Sequence, residues 1–263
     1  MRVGNIAKGL TVGLAGLYAL YAALAFGAQR RLIFAGYGTA RPVADRPSDV
    51  DVWWFEHGDA RVEAWFRPAQ SDEPAPVVVM AHGNGELIDD WGIALRPLAE
   101  AGYAVLLVEF PGYGDSTGTP SAENISATYS AAIDRALERD DVEGLIGFGR
   151  SLGGGVIGQV SRERAFDAIH LRSTFTSLRP MVRPLGLPSA LLRDPMDTQE
   201  ALSSFSGPVH VMHGRADVIV PFEHGVALVD TIPNAELFAV DCGHNDCPLA
   251  LTEVVDWLRA NGL

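Results

Sequence analysis

"GLIGFGRSLGGGVIG", Gly144 to Gly158, decides how the rest of the chain is read. Its first half is a short apolar run of the kind that forms a buried strand. Its second half opens on Gly153, Gly154 and Gly155 and continues as a small-residue helix start. A strand that passes without a loop through Arg150 and Ser151 into a helix makes a sharp turn. The flanking residues must be tiny so that the two backbones can approach, and the central residue is held in a strained conformation with its side chain exposed. Here that residue is Ser151. The string Gly149–Gly153 fits G-x-S-x-G, but so does "GDSTG", Gly114 to Gly118, and a chain with 28 glycines in 263 residues produces such strings by chance. Context separates them. "PGYG", Pro111 to Gly114, keeps Ser116 off its strand end, and the following helix is expected to begin later, with Thr119 as N-cap and Pro120 at its first position. Ser151 is the candidate nucleophile and Ser116 the decoy.

Outward from this turn the pattern repeats. "APVVVMA", "YAVLLVEF", "AIHLRS", "PVHVMHG" and "AELFAV" are short, apolar and rich in β-branched residues, as strands buried on both faces of a parallel sheet are. Helix-length segments lie between most of them: Leu87–Ala101, Ser121–Arg139, Gly154–Glu163, Glu223–Thr231 and Leu249–Ala260. Strand–helix alternation implies right-handed crossovers and an α/β sheet with helices on both faces. Ahead of it, "DVDVWWFE" and "ARVEAWFRP" read as two strands joined at His57-Gly58-Asp59. Thr174–Phe205 breaks the rhythm with five prolines or glycines and no clear strand, and reads as a small cap-like insertion over the sheet's top edge.

In open α/β sheets ligands sit outside the carboxyl ends of the strands, so each candidate must follow a strand. A serine needs a base, and the base an orienting acid. Of seven histidines, His57 falls in a turn, His170 and His210 within strands, and His224 at a helix start. His82 and His213 begin "HG" pairs that shape loops. His244, in "CGHND", follows the last strand and precedes the last helix, where the base belongs in the order Ser, acid, His. Asp217, just past "VHVMHG", is the candidate acid. Asp241 and Asp246 are too near His244 in sequence, and Asp194 lies in the insertion. The oxyanion requires backbone donors. The Leu152 N–H is one, and the loop "HGNGE" offers the Asn84 N–H, with Gly85 as fallback.

A net charge of −13 argues against nucleic-acid partners. The N-terminus is a different matter. "GLTVGLAGLYALYAALAFGAQ", Gly9 to Gln29, carries no charge, and about 20 helical residues span a hydrocarbon core of ~30 Å. A single membrane anchor over 1–28 is the favoured reading. A signal peptide cleaved near Ala23–Ala25 is the second, and a buried core helix, disfavoured by the lack of a polar face, the third. Basic residues balance across the segment (Arg2 and Lys8 against Arg30, Arg31 and Arg41), so orientation is nearly undetermined, with a lean to a domain outside the cytoplasm. Cys242 and Cys247, five apart, form no metal or redox motif. Two ordinary thiols is the simpler expectation, and a local disulfide, which needs an oxidising compartment, the sharper one.

Taken in order, "HGNGE", "EFPGYGDSTGTPSAE", "GRSLGG", "STFTSLRPM", "LLRDPMD", "HGRADVIVPFEHG" and "CGHND" resemble the Bem46-like branch of the α/β-hydrolase superfamily across roughly Gln29 to Leu263. The resemblance implies an α/β-hydrolase domain over 29–263 behind an N-terminal membrane segment. By position it makes Ser151, Asp217 and His244 the triad, Asn84 the second oxyanion donor, and "GYGDSTG" a loop near the site without a catalytic role. The implied activity is hydrolysis of an ester or thioester through an acyl-enzyme, with no metal or organic cofactor and a small-molecule or lipid acyl substrate. A depalmitoylase-like thioesterase and a non-catalytic membrane-tethered binding protein are the alternatives.

Overall fold

A computed structural model of the chain describes residues 2–42 and 46–263, with side chains from Lys8 onward. Helix α1 (Arg2–Ile33) leads into β1 (Asp51–His57) and β2 (Ala60–Arg67), then β3 (Ala75–Ala81), α2 (Ile88–Gly92), α3 (Arg96–Glu100) and β4 (Ala104–Val108). The middle of the chain forms α4 (Ala122–Leu137), β5 (Val142–Arg150), α5 (Leu152–Val160), β6 (Ala168–Arg172), α6 (Arg179–Val182) and α7 (Thr198–Leu202). It ends with β7 (Val209–Gly214), α8 (Glu223–Thr231), β8 (Ala235–Val240) and α9 (Leu251–Ala260). The strands form one eight-stranded sheet in the order β1-β2-β4-β3-β5-β6-β7-β8. The β1–β2 and β2–β4 pairs are antiparallel and every later pair is parallel.

Period-2 alternation along β3 divides the core. Val77, Val79 and Ala81 join Tyr129 and Ile133 of α4, Val156 and Ile157 of α5 and Leu228 of α8 on one face. Val78 and Met80 join Ile88 and Trp91 of α2, Leu98 of α3 and Val254 and Leu258 of α9 on the other. Both faces are covered, so the parallel strands read as unbroken apolar runs.

Some boundaries differ from the sequence reading. Leu87–Ala101 is two short helices instead of one: Gly92 ends α2, and Pro97, which lacks an N–H, sits in the first turn of α3. Helix α4 is capped by Ser121, whose Oγ accepts from the Asn124 N–H at 3.1 Å, and not by Thr119. Helix α5 starts at Leu152, two residues earlier than expected, because the turn at Ser151 has no connecting loop. Helix α1 runs past residue 28 to Ile33, with Arg30 and Arg31 in its last turn, where cations suit the helix dipole. Residues Lys8–Ile33 are long and apolar enough to cross a membrane, and none of the most apolar stretch is buried, which rules out the core-helix reading. Cys242 and Cys247 are bonded to each other, with Cα atoms 5.0 Å apart, so the expectation of two free thiols gives way to the disulfide. The backbone of the loop brings the pair together: the Cys242 N–H donates to Val240 O, and Asp246 Oδ1 accepts from the Gly243 N–H at 2.7 Å.

Candidate active site

The three residues predicted as a triad come from the carboxyl ends of three different strands. Ser151 follows β5, Asp217 lies three residues past β7, and His244 lies four past β8. Ser151 adopts φ 50°, ψ −114°, a region that non-glycine residues rarely occupy. The glycines around it explain how the chain tolerates this. A Cβ on Gly153 would collide with the Ala81 carbonyl, and one on Gly149 would lie 2.8 Å from the Gly153 oxygen. The Ser151 N–H donates to Arg172 O at 2.9 Å, and the Thr174 hydroxyl donates to Ser151 O at 2.6 Å, so backbone and side chain clamp the strained residue.

His244 Nε2 is 3.0 Å from Ser151 Oγ, and His244 Nδ1 is 2.7 Å from Asp217 Oδ2. The other Asp217 oxygen accepts from the Ile219 and Val220 N–H groups at 2.9 and 2.8 Å. Those two donors hold the carboxylate in place beside His244. Both Asp217 and His244 are buried, while Ser151 is partly open. The alternative acids lie elsewhere. Asp241 extends into solvent 3.4 Å from Arg215, Asp246 bonds its own loop, and Asp194 pairs with Arg30 at 2.9 Å.

The Leu152 and Asn84 residues line the same pocket as Ser151. Among the described residues neither N–H has an acceptor. The Asn84 side chain is engaged. Its Oδ1 accepts from the Ala35 N–H at 2.6 Å and from the Tyr113 hydroxyl at 3.1 Å, which ties the loop after β3 to the residues just past α1. Gly85, the fallback donor, adopts φ 78°.

The other polar candidates are accounted for structurally. Ser116 is buried and its Oγ accepts from the Glu63 N–H at 3.0 Å. His82 lies 2.8 Å from Glu109 and stacks on Phe110, and His213 contacts the Val220 carbonyl at 2.9 Å with its protonation disfavoured by burial. His170 and His210 face each other across β6 and β7, Nδ1 to Nδ1 at 2.9 Å. His224 accepts from the Thr176 N–H at the start of α8. No cluster of metal-ligating side chains occurs among the described residues.

Two residues that the sequence reading passed over hold the His244 loop in place. Arg150, immediately before the serine, reaches across to the histidine loop, where it donates to Asn245 Oδ1 at 2.9 Å and to the His244 carbonyl at 3.3 Å, and it also pairs with Glu86. Arg172, at the end of β6, donates to the Cys247 carbonyl. Burial lowers the pKa of both guanidiniums, that of Arg172 to about 10. The available signal was a charged residue inside each apolar strand run, at the strand's carboxyl end.

A family model described as alpha/beta hydrolase fold matches residues 76–183. The Mycobacterium tuberculosis protein Rv2307c is 32% identical over 232 residues, covering 83% of this chain and 81% of that protein. The chain belongs to the α/β-hydrolase family. This α/β-hydrolase is also similar to the alpha/beta hydrolase domain-containing protein WAV2 of Arabidopsis thaliana, at 25% identity over 243 residues, 82% of this chain and 79% of that one. Its fold is shared with an esterase of Pyrococcus furiosus at a TM-score of 0.66 and 18% identity, covering 86% of this α/β-hydrolase and 98% of the esterase.

Proposed function

We propose that this α/β-hydrolase is a serine hydrolase that cleaves carboxylic ester or thioester bonds through an acyl-enzyme, held at a membrane by α1. The observation that carries the reading is the unbroken relay from Asp217 through His244 to the strained Ser151, at 2.7 and 3.0 Å. His244 removes the Ser151 proton as Oγ attacks the acyl carbon. Asp217 holds the tautomer that leaves Nε2 free to accept and stabilises the imidazolium that forms. The Leu152 and Asn84 N–H groups receive the oxyanion. As the tetrahedral adduct collapses, His244 passes the proton to the departing alkoxide or thiolate. Water then adds to the acyl-Ser151 ester by the same relay, which releases the carboxylic acid and restores the serine. The domain lies outside the cytoplasm in this reading, which the Cys242–Cys247 disulfide supports, since such bonds persist in oxidising compartments.

The test is a fluorophosphonate probe together with a panel of esters and thioesters. Ser151→Ala is expected to abolish labelling and to lower turnover by about four orders of magnitude or more. Ser116→Ala is expected to keep labelling, at a stability cost of about 1 kcal/mol for its lost hydrogen bond. Near-wild-type turnover by Ser151→Ala would overturn the mechanism.

A further inference from the structure

Beside Ser151 opens a pocket of about 320 Å³ whose walls are almost wholly carbon. One wall belongs to the segment between β6 and β7, through Leu178, Met181, Leu185, Leu187 and Leu191. The facing wall belongs to α1: Ala22, Ala25, Phe26, Gln29, Leu32 and Ile33 recur at the three- and four-residue spacings of one side of the helix. The N-terminal helix is therefore part of the cavity that ends at the candidate nucleophile, and it is built into that position. Gln29 accepts from the Arg193 N–H at 2.8 Å and donates to the Leu191 carbonyl at 3.2 Å. Arg30 pairs with the buried Asp194, which also accepts from the Ala122 N–H at the start of α4. Nearer the N-terminus, the Tyr21 and Tyr18 hydroxyls donate to the Leu185 and Gly186 carbonyls at 2.8 and 2.9 Å.

These contacts fix a depth. From Gln29 back to Tyr18 is about 16 Å of helix, roughly half of a ~30 Å hydrocarbon core. The β6–β7 segment, docked along that length, reaches one leaflet deep when α1 is inserted. Its surface suits this. Leu185 is 55% exposed, as is Ile219 of the pocket lining at 50%, next in sequence to Val218 at 90%. Arg183 and Arg193 are both exposed on the segment, and Arg193 lies over Phe26.

Resting on the hydrolase reading above, we infer that this pocket binds the acyl chain of a lipid ester, taken sideways from the bilayer, and that α1 is one wall of the chain-binding site as well as an anchor. A methylene is close in size to a water, whose share of liquid volume is roughly 30 Å³, so the space suits a chain of about ten carbons. The carbonyl then lies at Ser151 and the alcohol or thiol portion outside, toward the polar side of the mouth.

Full-length protein in phosphatidylcholine vesicles, assayed with p-nitrophenyl dodecanoate and butyrate, tests this. Wild type is expected to favour dodecanoate. Ala25→Trp, which fills the pocket from the helix side, is expected to lower the dodecanoate-to-butyrate ratio of kcat/KM at least tenfold. Ala23→Trp, on the outward side of α1, is expected to leave it unchanged. An unaltered ratio in Ala25→Trp overturns the pocket assignment while the hydrolase reading stands, whereas no turnover of either ester together with no labelling of Ser151 sinks the reading itself. Should Ala25→Trp fail to fold, wild-type inactivation rates with dodecyl and ethyl fluorophosphonates carry the same comparison, and equal rates overturn the proposal. A faster dodecanoate reaction in vesicles than with monomeric ester and detergent-solubilised protein assigns the chain to the bilayer. The reverse, or a mature protein lacking residues up to Ala25, overturns the sideways route.

Discussion

Ser151 and Arg150 are adjacent and were very unequally visible. The serine is set by local chemistry: a strand, a tight turn and three glycines in unbroken succession can be read from the string itself. Arg150 acts on a loop 94 residues away, and no spacing in the sequence says where a guanidinium of that reach will land. Asp217 and His244 fall between these cases, since the strand pattern supplies the end of the sheet and the chain order supplies the proposed roles. In the proposed mechanism Arg150 is a positioning residue, and its loss should act on geometry more than on folding. Glu86, its ion-pair partner, keeps the Gly83 N–H at 2.7 Å and the Trp91 indole N–H at 3.1 Å. Arg150→Met is therefore expected to lower kcat by up to about 100-fold through displacement of His244, with KM little changed and only a modest loss in melting temperature. Steady-state kinetics beside a thermal melt check this. A loss confined to stability would assign Arg150 to folding alone.

At the scale of elements, the strands were more legible than the helices. Buried parallel strands announce themselves as continuous apolar runs, whereas the break between α2 and α3 and the true cap of α4 depend on which of several competent residues the tertiary fold selects. The same selection places His170 and His210 side by side in β6 and β7. One ring nitrogen must donate to the other, which requires at least one neutral ring, and burial holds His210 down to about 4 and His170 well below its ordinary value, the latter also beside Arg172. Unfolded histidine titrates near 6.5. Between about pH 6.5 and 4 the unfolded chain therefore binds protons that the folded chain does not, and stability falls as pH falls through that window. His210→Gln keeps a hydrogen-bonding group without the titration. It is expected to flatten the pH dependence of the unfolding free energy between pH 5 and 6 by about 1.4 kcal/mol per pH unit, measured by denaturant titration. An unchanged slope would mean that the pair carries none of the pH dependence.

For the molecule as a whole, the sequence set an uncharged helix apart from an α/β body, because the two obey different patterns. What it could not convey is their attachment, made by scattered contacts such as Tyr18 with Gly186 and Arg30 with Asp194. The shortest of these links has a mechanical meaning. Ala35, two residues past α1, is hydrogen-bonded to the side chain of Asn84, whose own N–H is the proposed second oxyanion donor. With α1 as the proposed anchor, its uncharged stretch from Gly9 to Gln29, about 31 Å long, matches a bilayer core of ~30 Å, and a thinner or thicker bilayer changes its tilt. In the proposed mechanism, strain between α1 and the body reaches, through Ala35, the loop that carries Asn84. Turnover of a water-soluble ester by vesicle-reconstituted protein is thus expected to vary with the acyl length of the surrounding lipids, and in Asn84→Ala to become flat at a lower level. The enzyme would then sense the thickness of the membrane it works on.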